Sequence, residues 1–192
     1  MGGANAITAG VVGNNSEEGF TSASENISGN IGIYAVGTKA SAIAENITIS
    51  SDMYAALYAY NGGVIKVGGD SPKSVLITST SDGINGTQST QAPESHSSIT
   101  VEAPTISIEG KEEAIVAFSN GEINVTGNAT IKGGSALIDT RGYASVNINR
   151  DNSNATTVLE GDIVFETPNV EGGDGNFSGN LIDAFVNINL SG

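Results

Sequence analysis

The chain has 192 residues, sets 21 acidic against 7 basic side chains for a net charge of −14, and contains neither cysteine nor tryptophan. That charge excludes a nucleic-acid binder, whose phosphates need Lys and Arg to displace counterions, and simple adsorption to anionic lipid. The absence of Cys excludes disulfides and thiolate metal sites, and no run approaches the roughly 20 apolar residues of a membrane helix.

Each coil of the chain is expected to hold three short strands, a, b and c, marked by Ile and Val alternating with Ser, Thr and Asn. The first coil is weak, at 7–12, 20–22 and Ile27; the second is 33–36, 42–44 and 47–50. The third is 56–60, 64–67 and 75–78. The fourth has a feeble a strand near Ile84, a long interruption, then 99–101 and 106–108. The fifth is 115–118, 123–125 and 129–132; the sixth is 136–139, 145–148 and a long c strand over 158–165. The seventh is 181–185 followed by 186–190. No segment has a capped 3.6-residue apolar period, so no substantial helix is expected.

Repetition carries this reading. Residues 55–69 recur at 114–127, 58 positions on, with Ala56 falling on Ala114, Tyr60 on Phe118, Ile65 on Ile123 and Val67 on Val125. The b strands form a ladder, Ile65/Val67, Ile99/Val101, Ile123/Val125, Val146/Ile148 and Ile188/Leu190, at spacings of 34, 24, 23 and 42. Alternate strand residues share a face, so these pairs point inward. Lys66, Thr100, Asn124, Asn147 and Asn189 are expected to face solvent. In the c strands, Glu25-Asn26-Ile27-Ser28 aligns with Glu45-Asn46-Ile47-Thr48. A core of β-branched aliphatics suits an aromatic content of only 5%.

The expected fold is all-β, a right-handed parallel β-helix (solenoid) of about seven coils with three short strands per coil, spanning 1–192 as a single segment. Residues 79–98 and 168–180, polar and Gly-rich respectively, are expected to be loop insertions. The start of the chain lacks the basic and apolar regions of a signal peptide. Both ends fall inside the repeating pattern, so the chain reads as a piece of a longer protein.

Coils such as IYAVGTKASAIAENITIS, ALYAYNGGVIKVGG and AIVAFSNGEINVTGNATIKGG resemble the passenger domains of Gram-negative autotransporters, the pertactin-like and pectate-lyase-like β-helices. The resemblance covers roughly Ile27 to Leu190 and implies export through an outer-membrane β-barrel that is not in this chain. It implies an extracellular place on the bacterial cell surface, attached to the outer membrane in the full-length protein. Many passengers are adhesins, and the implied partner is a host or bacterial surface protein or a glycan.

An enzymatic β-helix is the rival. A lyase of that architecture needs an acidic cluster for Ca²⁺ and an Arg or Lys base; an inverting hydrolase needs paired carboxylates with room for water. No set of Asp residues recurs at one coil position. Arg141 follows Asp139 by two residues, and Gly172-Gly173-Asp174-Gly175-Asn176 resembles one calcium-binding turn without its repeats. Glu109, Glu112 and Glu113 form an acidic corner, read as a solvated turn or a weak cation site. His96 is the sole histidine and sits between two serines. If Tyr58 and Tyr60 face outward they offer a platform for a sugar or a partner side chain; if inward, they close the core at a corner. The expectation is therefore a monomeric, non-catalytic adhesin or stalk segment with no cofactor, no metal and no catalytic residues. Tyr58, Tyr60 and His96 are its candidate contact residues. The alternative is a polysaccharide-binding or pectate-lyase-like enzyme.

Overall fold

Alternation of Ile, Val and Ala with small polar residues makes strand the only regular secondary structure among the described residues. The computed structural model describes residues 21–69, 72–87, 96–141, 144–150, 152, 154–166 and 186–190. Sheet A holds β1 (Thr21–Gly29), β3 (Lys39–Ser51), β5 (Val64–Gly68), β6 (Ser74–Ser79), β8 (Ser97–Gly110), β10 (Gly121–Gly133), β12 (Ala144–Ile148), β13 (Thr157–Glu160) and β15 (Val186–Leu190). Sheet B holds β2 (Ile33–Val36), β4 (Ala55–Tyr60), β7 (Asp82–Thr87), β9 (Glu113–Phe118), β11 (Ala136–Arg141) and β14 (Ile163–Glu166). The chain passes between the sheets coil after coil, and the strands pair in parallel with the coils before and after. The fold is a parallel β-solenoid of about five turns.

Stacked aliphatic ladders fill the space between the sheets. On sheet B the inward column runs Ile33, Leu57, Ile84, Ile115, Ile138. On sheet A one column runs Ala40, Ile65, Ile99, Ile123, Val146 and a second Ile49, Ile77, Ile108, Ile131. All of these side chains are buried. Each buried Ile or Leu contributes about 2–3 kcal/mol by leaving water. The b-strand ladder expected from sequence is the one observed, down to the pairing of Val146 with Ile188 and Ile148 with Leu190.

The corners explain the wealth of Asn and Gly. Between the a and b strands the backbone turns through left-handed residues, Gly37, Asn61, Ser119 and Asn120; Asn tolerates that region better than most side chains. At the b-to-c bend of β10, Gly127 has φ 143, and a Cβ there would lie 1.7 Å from the Ala103 carbonyl oxygen. Asn149 of the next coil clasps this residue. Its Oδ1 accepts from Gly127 N at 2.8 Å and its Nδ2 donates to Gly127 O at 2.8 Å.

Several expectations are corrected. The fold has about five turns rather than seven; the expected a strand of the first coil, 7–12, and that of the seventh, 181–185, lie outside the described residues. Among the described residues the b and c strands are continuous in β1, β3, β8 and β10, without a break, and are separate as β5/β6 and β12/β13. Ile27 pairs with Ile49, not Ile47; a two-residue slip keeps the same face inward, so alternation alone does not fix it. The expected c strand over 158–165 is two strands, β13 in sheet A and β14 in sheet B, divided at Gly161 with φ 130. The 58-residue copy is two coils away, with β7 and β8 lying between the matching rungs. Within the stretch 79–98, the a strand expected near Ile84 is β7: Gly83 lets the chain run close beside Ala114, and Ile84 joins the core ladder. Only 88–95 of that stretch, and all of 168–180, fall outside the described residues. Asn147 is buried, not solvent-facing, and its Nδ2 donates to Asn124 Oδ1 on the adjacent rung at 2.9 Å.

Candidate functional site

Sheet B presents its outer face through the residues between its inward ladder positions. Tyr34 lies beside Tyr58, Tyr58 beside Asn85, Asn85 beside Val116, and Val116 beside Asp139. Tyr60 lies two residues beyond Tyr58 on the same face, in register with Val36 and Thr87. Tyr54 joins from the corner before β4, where its carbonyl accepts from Asp82 N at 2.9 Å and from Ser79 Oγ at 3.2 Å. The outer face is therefore open at four tyrosines on two coils; on the coils that follow its column, Asn85, Val116 and Asp139, is buried, and Asp82, Glu112 and Glu113 stand at the corner that opens β7 and β9.

The tyrosines pack on one another. Tyr34 and Tyr58 stack with centroids 5.1 Å apart and planes 12° from parallel. Tyr58 and Tyr60 stack at 5.8 Å and 28°. Tyr54 meets Tyr58 edge-on at 5.0 Å. Tyr58 is thus the hub, and burial among the rings, followed by its interaction and hydrogen bond with Tyr54, raises its hydroxyl pKa above the usual phenol range. Burial, then the neighbouring Tyr60 and Tyr54, raises that of Tyr34 as well. Tyr58 spends its ring on partners, so what remains for a ligand is Tyr54, 43% exposed, with the far faces of Tyr34 and Tyr60. Met53, 68% exposed, flanks Tyr54.

The carboxylates stand one and two rungs further on. Asp82 opens β7 and Glu113 opens β9; because Ile84 pairs with Ile115, the two acids occupy the same position on adjacent rungs. Carboxylate oxygens of Asp82, Glu112 and Glu113 lie within 4.8 Å of one another. Asp82 is 7% exposed, and its Oδ2 accepts from Asn85 Nδ2 at 2.8 Å. Ser81 Oγ stands 2.7 Å from Glu112 Oε2 and 3.3 Å from Asp82 Oδ1, and its single proton goes to the nearer oxygen. Burial pushes the Glu113 carboxyl up to about 7, helped by a hydrogen bond with Asp82 and by the charges of Asp82, Asp139 and Glu112. Chemically, three oxygens at this spacing can hold a cationic group or a hard cation; exposed carboxylates also meet at such distances without one.

The sequence-based candidates are distributed as follows. Tyr58 and Tyr60 lie together on the outer face and share a stacked pair. His96 is exposed one residue before β8, outside the ring set. The adjacent Ser97 ties that corner together, its Oγ accepting from Gly62 N at 3.2 Å and donating to Thr87 O at 2.9 Å. The acidic corner is Asp82, Glu112 and Glu113, with Glu109 exposed and outside the three-oxygen group. Sequence reasoning missed Asp82 and Tyr34, and grouped Tyr54 with Tyr58 and Tyr60 without taking it as a contact residue. The available signal was Ile84: placed on Ile115, it sets Asp82 on Glu113, 31 residues apart in the chain. Comparison with known protein families, with characterised proteins and with solved structures finds no match to this chain.

Proposed function

We propose that the chain is a non-catalytic β-helical segment of a bacterial surface passenger, of the autotransporter kind, that serves as a stiff stalk and presents a contact face to a host or bacterial surface molecule. The observation that carries this reading is the tyrosine cluster on the outer face of an otherwise regular parallel solenoid. Four partly exposed rings on a surface whose other outward columns are mostly Ser, Thr and Asn are costly in water unless something covers them. A rod whose backbone hydrogen bonds run along its axis holds such a patch at a fixed distance from its base.

The carboxyl geometry supports the non-catalytic reading. Carboxylate oxygens of Asp82 and Glu113 lie within 4.8 Å of each other, whereas inverting glycosidases hold their carboxyls about 6.5–9.5 Å apart to admit a water. Two tests apply. Turnover of polygalacturonate, with and without Ca²⁺, is expected to be nil; measurable turnover overturns the non-catalytic reading. Binding to an array of glycans and extracellular-matrix proteins is expected for the native chain and is expected to be lost in a Tyr54→Ala/Tyr60→Ala variant. No binding by either form on the array, or undiminished binding by the variant, removes the contact face and leaves a stalk alone.

A further inference from the structure

With no cysteine in the chain, no disulfide can join one coil to the next. Tyrosine is the residue that can replace it as a covalent link, because its oxidised ring forms carbon–carbon bonds. Tyr34 of β2 and Tyr58 of β4 are partners in register on adjacent rungs, so their Cα atoms stand about 4.8 Å apart. Their rings lie face to face, with centroids 5.1 Å apart and planes 12° from parallel. Two phenoxyl radicals couple from that arrangement. The unpaired electron of such a radical occupies the π system, shared between the oxygen and the ring carbons ortho to it, Cε1 and Cε2, so the new bond forms through the ring faces. Bringing one Cε of each ring into bonding distance asks each side chain to lean by about 15–20°, less than the roughly 30° at which leaving a rotamer becomes costly.

The other two rings set the route and the choice of pair. Tyr54 is 43% exposed and meets Tyr58 edge-on at 5.0 Å, so an oxidant in solution reaches Tyr54 and an electron passes to it from the inner pair across the ring contact. Tyr58 also stacks on Tyr60, at 5.8 Å and 28°. Those two belong to one strand, with Cα atoms about 6.6 Å apart, and a bond between them would pull β4 out of its extended form. We propose that the Tyr34–Tyr58 pair is a site of oxidative modification, coupled to dityrosine by a haem peroxidase acting with hydrogen peroxide, and that the bond staples the coil of β2 to the coil of β4. Each phenol gives up one electron and its hydroxyl proton. The two radicals join Cε to Cε; each joined carbon then loses its hydrogen as a proton and each oxygen takes one up, which restores both rings. In sum two C–H bonds break, one C–C bond forms, and two electrons and two protons leave to reduce one hydrogen peroxide to two waters. The bond closes the loop of chain between residues 34 and 58, and a crosslink of that kind stabilises by restricting the unfolded chain. The inference goes beyond the display reading and does not depend on it, since it stands on the ring geometry.

The test treats the folded chain, at high dilution, with a haem peroxidase and one equivalent of hydrogen peroxide, and recovers the monomer by gel filtration. Dityrosine is read from its fluorescence and from a mass lower by two hydrogens. Cleavage after lysine leaves Tyr34 as the sole tyrosine of peptide 1–39, and Tyr54, Tyr58 and Tyr60 together on peptide 40–66. The expected product joins these two peptides, and fragmentation places the bond at Tyr58. Total dityrosine within the monomer is expected to fall about tenfold or more in Tyr34→Phe and in Tyr58→Phe, and to change less than about twofold in Tyr60→Phe, because held proximity and not chance encounter makes the bond. Phe keeps the ring stack, circular dichroism checks each variant, and the mapped junction of the native chain tests the proposal without any variant. The crosslinked monomer is expected to melt several degrees above Tyr58→Phe treated alike, relative to the untreated form of each. Junctions shared evenly among the tyrosines, a bond at Tyr54 in place of Tyr34, dityrosine only between chains, or none at all overturn the proposal. Undiminished dityrosine in Tyr58→Phe does the same, and a crosslinked chain with no rise in Tm overturns the staple.

Discussion

Glu113 is the residue whose chemistry depends most on the rung beneath it. Its carboxyl is raised from 4.5 to about 7, first by burial and then by Asp82, Asp139 and Glu112. Between those two values the folded chain holds a proton that the unfolded chain has lost. The stabilising protonated form is therefore fully present below pH 4.5, and stability falls as pH rises through about 7. Glu113→Gln keeps a hydrogen-bonding group and removes the charge. Because Glu113 is only partly buried and solvent screens its carboxyl, the gain at pH 8 is about 1 kcal/mol or less, roughly 2–4 °C in Tm for a chain of this size. Thermal melts from pH 4 to 8 check this: the variant's profile should be flatter than the native one, whereas an exposed control, Glu102→Gln, should follow the native slope. A native-like slope in Glu113→Gln would falsify the assignment. Asn149 makes a second residue-scale case. It is fully buried and satisfies both backbone groups of Gly127, with its Nδ2 also donating to Thr157 Oγ1 at 2.9 Å. Asn149→Ala leaves a buried N–H and C=O unanswered, which costs about 1–3 kcal/mol for each group left unsatisfied. Chemical denaturation should show that loss with an unchanged m-value; a midpoint within error of native would mean that water replaces the amide.

At the scale of the strand and its connections, the β7–β8 junction shows what insertion means in this fold. Thr87 pairs with Phe118 and Ser97 with Gly121, so Ser119 and Asn120 span in the next coil the gap that residues 88–96 span here. Ser97 Oγ already donates to Thr87 O at 2.9 Å, which places the two ends side by side. Replacing 88–96 by Ser-Asn is therefore expected to leave the fold intact, with a Tm equal to or a few degrees above native because a shorter loop loses less entropy on closing. Loss of the strand signal in circular dichroism would show that the longer connection is needed to seat β7. The same junction explains what could be read from sequence. The b ladder was legible in full because Ile65, Ile99, Ile123 and Val146 are large, β-branched and one residue away from another inward position. The Ile27 register was not, since pairing with Ile47 or Ile49 buries the same face. The tyrosine cluster was half legible: Tyr58 and Tyr60 are neighbours in sequence, but Tyr34 reaches Tyr58 only through the stacking of β2 on β4. Asp82 was hidden inside a polar stretch whose Ile84 is a lone apolar signal flanked by glycines.

For the whole molecule, stacking turns every outward column into a repeated electrostatic choice. Rungs about 4.8 Å apart bring identical positions into contact, so an aliphatic ladder adds stability at each step while a like-charge ladder subtracts it. Sheet A meets this with neutral columns, such as Thr48, Leu76, Ser107 and Thr130, and with the alternating Glu109, Lys132 and Glu160. Those local remedies do not cancel a net charge of −14 spread along a narrow rod. The long-range part of that repulsion acts over the screening length, about 30 Å at 0.01 M salt and about 8 Å at 0.15 M. Raising NaCl over that range is therefore expected to raise Tm by a few degrees. The exposed pairs Lys73–Glu45 and Lys132–Glu160 lose only a little in exchange, since surface ion pairs are worth at most about 1 kcal/mol each. At pH 8, above the raised Glu113 pKa, the Glu112→Gln/Glu113→Gln variant should show a smaller salt effect than Glu102→Gln/Glu122→Gln, although both replace two carboxylates, because its lost charges lie in the crowded corner. A Tm that falls with salt would mean that attraction between unlike neighbours, not repulsion along the rod, dominates the surface. The crowded corner on sheet B would then be a minor feature rather than the point where the solenoid gives up stability to hold its charge.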